Sequence, residues 1–211
     1  MEKIITLGIN RIEKGAFVKH SRDTDDRWWY LNKPTGSLWG STYTPDDEYV
    51  SDWERWCDGN DYAHYHNGII YTVNSDARIY TIDSLHDFIE LITRYPLPEP
   101  TELRVAGTRV YLDFSKIMKD YDVLHLTQNG NCETHLIWNH PEIDVGGKKY
   151  RISDLNSWDV ESWLILNFDS INLDSVELYE KKLTKEVVRN TVNELRHLAE
   201  SGKCIITSKK P

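Results

Sequence analysis

Three prolines in five residues, Pro96-Leu97-Pro98-Glu99-Pro100, set the tightest limit on how this chain folds. Each pyrrolidine ring fixes φ, removes an amide donor and pushes the preceding residue toward extended geometry, so no helix runs through the segment. The segment falls near the middle of a 211-residue chain, too early for two ordinary domains. The expectation is a single domain over residues 1–211, with the proline segment connecting two lobes.

The flanking patterns predict a mixed fold. Residues 3–9 and 16–20 read as strands, and 51–57 as a short helix with Trp53, Trp56 and Cys57 on one face. Residues 69–73 and 77–82 predict a hairpin around Asn74-Ser75-Asp76. Ser84 with Asp87 three residues on resembles a capping box, and Leu85, Phe88, Ile89 and Ile92 recur at helical spacing. An amphipathic helix is therefore expected over 84–95. Beyond the prolines come a short helix at 113–120, a strand at 122–127, an extended run at 158–168 and a strand at 176–179. A long helix at 184–201 closes on Gly202. Strands that do not alternate strictly with helices indicate an α+β fold.

Composition narrows function. The charge of −9 at neutral pH leaves no broad basic surface of the kind that binds duplex nucleic acid through counterion release. A narrow aromatic cleft for a single nucleotide or flexible strand is compatible with that charge. No apolar run approaches the roughly 18 residues of a membrane span, so no membrane partner is expected. The N-terminal residues carry no cleavage pattern of a secretory signal. Cys57, Cys132 and Cys204 are irregularly spaced, which fits neither a disulfide framework nor a CxxC zinc site and favours the cytoplasm. Tryptophan is the excess: 8 Trp and 12 Tyr against 4 Phe and 2 Met. Packing alone favours Phe and Met, which carry no donor needing a partner. Five of the tryptophans (28, 29, 39, 53 and 56) fall within residues 28–56.

Three constellations carry chemistry. His20-Ser21 ends one predicted strand; a histidine there suits a polar ligand or a structural hydrogen bond. Lys33-Pro34-Thr35-Gly36-Ser37-Leu38-Trp39-Gly40-Ser41-Thr42-Tyr43 predicts a tight turn entering a strand. Alternation places Trp39, Ser41 and Tyr43 on one face, suited to a flat heterocycle or to an ordinary core. In Trp158-Asp159-Val160-Glu161-Ser162-Trp163, an acid entering an apolar strand between tryptophans is costly unless it is ionised with a partner or used with a shifted pKa. Cys57, Asp61, His64 and His66 match no common zinc spacing, and no metal is expected. The acids Asp46, Asp47, Glu48, Asp52 and Glu54 read better as a solvated loop and helix start than as a glycosidase pair.

In this order the three segments resemble the ADP-ribosyltransferase fold, and within it small bacterial and phage proteins with "KPxGGLW" and "WDxES" segments. The stretch Asp120-Tyr121-Asp122-Val123-Leu124-His125-Leu126 resembles the "YDGI" strand that precedes the catalytic glutamate there. The resemblance spans residues 16–166. It implies a split β-sheet core with flanking helices, and a cleft that binds NAD as a substrate. Glu161 corresponds to the catalytic glutamate, which stabilises an oxocarbenium-like transition state as nicotinamide leaves. His20 and Ser21, Lys33, Gly36, Leu38, Trp39, Ser41 and Tyr43 correspond to the NAD-binding positions. Either Trp39 or Tyr43 stacks on nicotinamide, and Ser41 holds its strand in place.

The departures bear on the acceptor. Arginine-modifying members carry Glu-x-Glu where this chain has Asp159-Val160-Glu161, so arginine is not the expected acceptor. Ser37 replaces the second glycine of the turn and restricts positive φ there. Together the features imply a cytoplasmic mono-ADP-ribosyltransferase, a toxin or phage-defence effector with an antitoxin as a partner. The acceptor is a macromolecule, nucleic acid favoured over protein, contacted by Trp53, Trp56 and Asp159. An NAD glycohydrolase and a non-catalytic Trp-rich binding module are the alternatives.

Overall fold

The computed structural model describes residues 2–17, 32–34, 36–46, 48–62, 65–98 and 109–181. Contacts divide the chain into Met1–Tyr179 and Glu180–Pro211, and the elements below belong to the first, save the last residue of the final strand. The helix expected at 184–201, and His20 and Ser21, lie outside the described residues.

The chain is α+β, with two sheets. The larger has seven strands: β1 (Ile4–Leu7), β2 (Leu38–Thr42), β3 (Asn67–Val73), β4 (Ile79–Ile82), β7 (Val123–Leu126), β10 (Ser162–Ile165) and β11 (Ile171–Glu180). Their spatial order is β11-β3-β1-β2-β10-β7-β4. The smaller sheet has four, in the order β5-β6-β9-β8: β5 (Pro96–Pro98), β6 (Arg109–Leu112), β8 (Glu142–Val145) and β9 (Lys148–Ile152). The α-helices among the described residues are α1 (Asp52–Gly59), α2 (Leu85–Arg94), α3 (Phe114–Asp120) and α4 (Gln128–Thr134).

The central strands are apolar on both faces because both faces are covered. Alternation along β1 sends Ile4 into a cluster with Tyr71, Val123 and Trp163, and Ile5 and Leu7 into another with Ile70. A third and larger cluster joins Phe88, Leu91 and Ile92 of α2 to Leu124, Leu164 and Trp158. Ser84 caps α2 by accepting from the Asp87 amide, as the local pattern predicts. Ser51 caps α1 in the same way through the Glu54 amide.

Several expectations are corrected. Residues 69–73 and 77–82 form no hairpin. Both edges of β3 are taken, by β1 and β11, and β4 instead pairs parallel with β7. Residues 14–16 form a 3₁₀ turn in place of the start of a strand, because the Phe17 amide bonds back to the Lys14 carbonyl. The proline segment is more than a connection: Pro96–Pro98 pairs with β6 as an edge strand, where a missing amide costs no ladder bond. The extended run at 158–168 narrows to β10, with Trp158–Glu161 as its approach loop. The β8–β9 hairpin is an addition to the expected elements; it turns on Gly146 and Gly147, at φ 63° and 82°.

Candidate active site

The site forms where the large sheet parts. β1 and β2 pair only through Ile4 with Thr42 and Ile5 with Ser41. Beyond that point β2 continues along β10 alone, through Leu38, Trp39 and Gly40. The Thr6 hydroxyl reaches across the gap and donates to the Trp39 carbonyl at 2.7 Å. Gly40 permits the close approach of the two strands just before they separate, since a Cβ there would lie 2.5 Å from Ile4 Cγ2. A cavity of about 210 Å³ occupies the gap.

Five of the residues singled out in the sequence converge on its wall: Lys33, Trp39, Trp53, Asp159 and Glu161. Identifiable contacts place Lys33, Trp39 and the loop that carries Asp159 and Glu161. Asn32 is buried at φ 51°, accepts from the Leu112 amide at 2.8 Å and donates to the Asp154 carbonyl at 3.0 Å. That staple fixes the chain just before Lys33, whose ammonium lies 5.3 Å above the Trp39 ring and donates to the Ser157 carbonyl. The Trp158 indole packs edge-on to Trp39 at 4.7 Å and donates to the Asn32 carbonyl. Asn131, on α4, donates to the carbonyls of Trp158 and Val160 and so holds the loop that delivers Glu161.

Glu161 sits opposite Thr42, two residues past the last rung between β10 and β2, which pairs Trp163 with Gly40. Its side chain takes over the ladder there: Oε2 accepts from the Thr42 amide at 2.9 Å and the Ser41 hydroxyl at 2.8 Å. Oε1 accepts from the Thr42 hydroxyl at 2.8 Å and His125 Nε2 at 2.9 Å. Burial pushes the carboxyl pKa up, but the bonds from His125, from the Thr42 amide and hydroxyl and from Ser41 outweigh it, and the net shift is downward. The group is therefore a buried anion held by four donors. Among the described residues, His125 is its one partner at ion-pair distance.

Such a carboxylate is a poor base and a poor nucleophile. Its proton affinity is low, and the usual four acceptor directions of a carboxylate are filled. What it supplies is fixed negative charge beside an aromatic-walled cavity, which favours a cation or a developing positive charge.

The other sequence-derived candidates lie elsewhere. Ser41 is not on the cavity wall but bonds Glu161 directly. Gly36 stands in the turn before β2 at φ 70°. Leu38 packs into the cluster of Ile4 and Tyr71, and Tyr43 against Ile5, Leu7 and Ile70; neither lines the cavity. Trp56 stacks on Trp53 at 5.1 Å and 10°, extending it away from the wall, and Tyr62 meets both rings edge-on. Among the described residues no three His, Cys, Asp or Glu converge as metal ligands.

Thr42 and His125 join the site although neither stands among the sequence-derived candidates. His125 does carry a local signal, as the one polar residue in the strand Val123-Leu124-His125-Leu126. No family model, no curated protein and no solved structure matches this chain.

Proposed function

We propose that this protein is an NAD-consuming mono-ADP-ribosyltransferase with Glu161 as its catalytic residue. The observation that carries the reading is the ionised Glu161 on the wall of a cavity that also holds Trp39 and Lys33. NAD presents a flat cationic pyridinium joined through ribose to an anionic pyrophosphate. Indole faces suit the ring, carboxylate charge suits the cation and the lysine suits the phosphates. The parting of β1 from β2 supports a split-sheet core of the ADP-ribosyltransferase type, since the cavity lies in the split.

In this reading the bond between the nicotinamide nitrogen and ribose C1′ breaks, and its electron pair leaves with neutral nicotinamide. Positive charge develops at C1′ and is stabilised by Glu161. An acceptor nucleophile then bonds to C1′ and releases its proton to solvent. Trp53 lines the cavity and carries Trp56 stacked on its far side, and the pair is assigned to the acceptor; indole faces suit a nucleobase.

The test is release of nicotinamide from NAD by the full chain, with and without cell lysate, measured by chromatography. Glu161→Gln is expected to lower release about 100-fold or more while the far-ultraviolet circular dichroism is kept. Absence of release by the wild type under both conditions overturns the reading. Label from the adenylate half that becomes nuclease-sensitive assigns a nucleic-acid acceptor, and protease-sensitive label a protein. Growth arrest on expression of the wild type but not of the variant supports a toxin or defence role.

One observation favours a second reading. Four donors of the chain itself satisfy Glu161, as expected of a structural carboxylate beneath a non-catalytic aromatic binding cleft. Ligand-dependent quenching of tryptophan without any nicotinamide release distinguishes that case.

A further inference from the structure

Glu161 is held from two sides. Ser41 and Thr42 approach from β2, and His125 approaches from β7, across the intervening strand β10. An ionised carboxylate has no proton to donate, so the hydrogen between His125 Nε2 and Glu161 Oε1 belongs to the imidazole. The ring itself is fixed by Trp163, its in-register neighbour on β10. The two rings are stacked at 3.8 Å with 13° between their planes. The Trp163 indole also donates its Nε1 hydrogen to the Thr42 hydroxyl at 2.9 Å. A hydroxyl has a single hydrogen, and one that is accepting from Trp163 is free to direct that hydrogen at Glu161 Oε1, 2.8 Å away. Trp163 thus aligns both donors to the same carboxylate oxygen.

We propose that His125 is the positioning residue for Glu161: its Nε2 hydrogen, aimed by the stacked Trp163 indole, fixes the carboxylate against the cavity wall. Without it the hold is one-sided. Oε1 keeps only the Thr42 hydroxyl, and every remaining donor pulls the group toward β2. The alternative role for His125 is that of a flat filler packed against Trp163, and the two roles require different atoms. The filler role needs a ring and no nitrogen, whereas the positioning role needs a donor at the place of Nε2 and no ring.

Three variants of the full chain separate them. His125→Phe keeps a ring and loses the donor. His125→Gln keeps a side-chain amide that reaches the position of Nε2, and His125→Asn carries an amide that falls short of it. The proposal rests on the NAD reading for its activity arm, where Phe and Asn are each expected to lower kcat for nicotinamide release about 10- to 100-fold with KM little changed. Gln is expected to stay within about threefold of the wild type.

The second arm needs no activity. It follows the Glu161 carboxyl by ¹³C NMR of glutamate-labelled protein, the resonance being assigned by its loss in Glu161→Gln. Titration of that signal is expected to move upward in Phe and Asn and to stay depressed in Gln. If the wild type releases no nicotinamide, the NAD reading falls while the NMR arm still decides the role of His125. A Gln variant as impaired as Phe, or Phe and Asn variants with unmoved titration, overturns the proposal. Should Phe fail to fold, the contrast of Asn with Gln separates the two roles by itself.

Discussion

Two buried carboxylates stand at opposite ends of the antiparallel pair β7–β10, and they are held by different kinds of donor. Asp122, just before β7, is gripped by Arg78: Nη2 donates to Oδ1 at 2.9 Å, while Nε and the Arg78 amide donate to Oδ2 at 3.0 Å. Asn167 adds a fourth bond at 3.1 Å. The Arg78 hydrogen bonds, opposed by burial, hold the Asp122 pKa down at about 2. Glu161, just before β10, has as many donors, but they are hydroxyls, an amide and an imidazole. A guanidinium cancels the charge it binds, whereas hydroxyl and amide dipoles stabilise a charge and leave its field in place. One carboxylate is therefore paired with a permanent cation, and the other is held by hydroxyls, an amide and an imidazole on the wall of a cavity.

The sharpest break of that comparison is the pair of amide substitutions. Glu161→Gln is expected to lower nicotinamide release about 100-fold or more and to cost only about 1–2 kcal/mol in urea unfolding, since the amide still accepts through its oxygen. Asp122→Asn is expected to reverse the pattern. The fold loses about 1–2 kcal/mol because the half-exposed Arg78 is left facing an amide, and nicotinamide release changes less than about threefold, against the ~100-fold scale of Glu161. Equal loss of activity in both variants would mean that the two carboxylates act alike.

Removing the cation is the next test. Arg78→Met leaves Asp122 with the Arg78 amide and Asn167 as donors and is expected to destabilise by about 2 kcal/mol. The guanidinium is half exposed, so solvent screens part of the pair and the cost falls below that of a fully buried one. Urea titration at neutral pH measures it.

The pH dependence follows with a definite sign. The folded pKa of Asp122, about 2, lies below its ordinary value of 3.8. Its contribution is therefore complete above about pH 4 and disappears as pH falls through about 2. Allowing for the half-exposed partner, the loss is about 1–2 kcal/mol. Asp122→Asn is expected to flatten that window of the stability profile. A profile that keeps its slope in the variant would assign the acid sensitivity elsewhere, with Glu161, whose pKa is also lowered, as the first candidate.

The contrast also shows which features local sequence encodes and which it does not. Local patterns specify α1, α2 with its Ser84 cap, and an acid at Glu161 that needs either a partner or a use. Trp39 and Glu161 share one wall because β2 pairs with β10, about 125 residues further along the chain, which no local pattern encodes. The role of His125 depends on β7 lying beside β10, a pairing between residues almost 40 apart that no local pattern encodes. The partner of β4 is hidden for the same reason, since β7 lies beyond two helices. α4, in Gln128-Asn129-Gly130-Asn131, contradicts its own propensities. The Thr127 cap and the tertiary bonds of Asn131 to the Trp158–Val160 loop sustain it. The Gly146-Gly147 turn, by contrast, carries an ordinary hairpin signal.

The smallest effect concerns single neutral donors, one at each carboxylate. Asn167→Ala removes one bond from Asp122, and Ser41→Ala removes one from Glu161. A neutral hydrogen bond contributes about 1 kcal/mol, so both variants are expected to lose similar stability. Asn167 also caps the 3₁₀ turn at Phe168–Ser170, which adds a few tenths of a kcal/mol to about 1 kcal/mol on its side. They are expected to differ in activity. Asp122 is still paired with Arg78 after losing Asn167, and nothing near the cavity changes. Glu161 loses one of the two donors to Oε2, so nicotinamide release is expected to drop about 3- to 10-fold. Equal activity in the two variants, at matched stability, would show that the Glu161 carboxylate does not depend on its hydroxyl donors for its position.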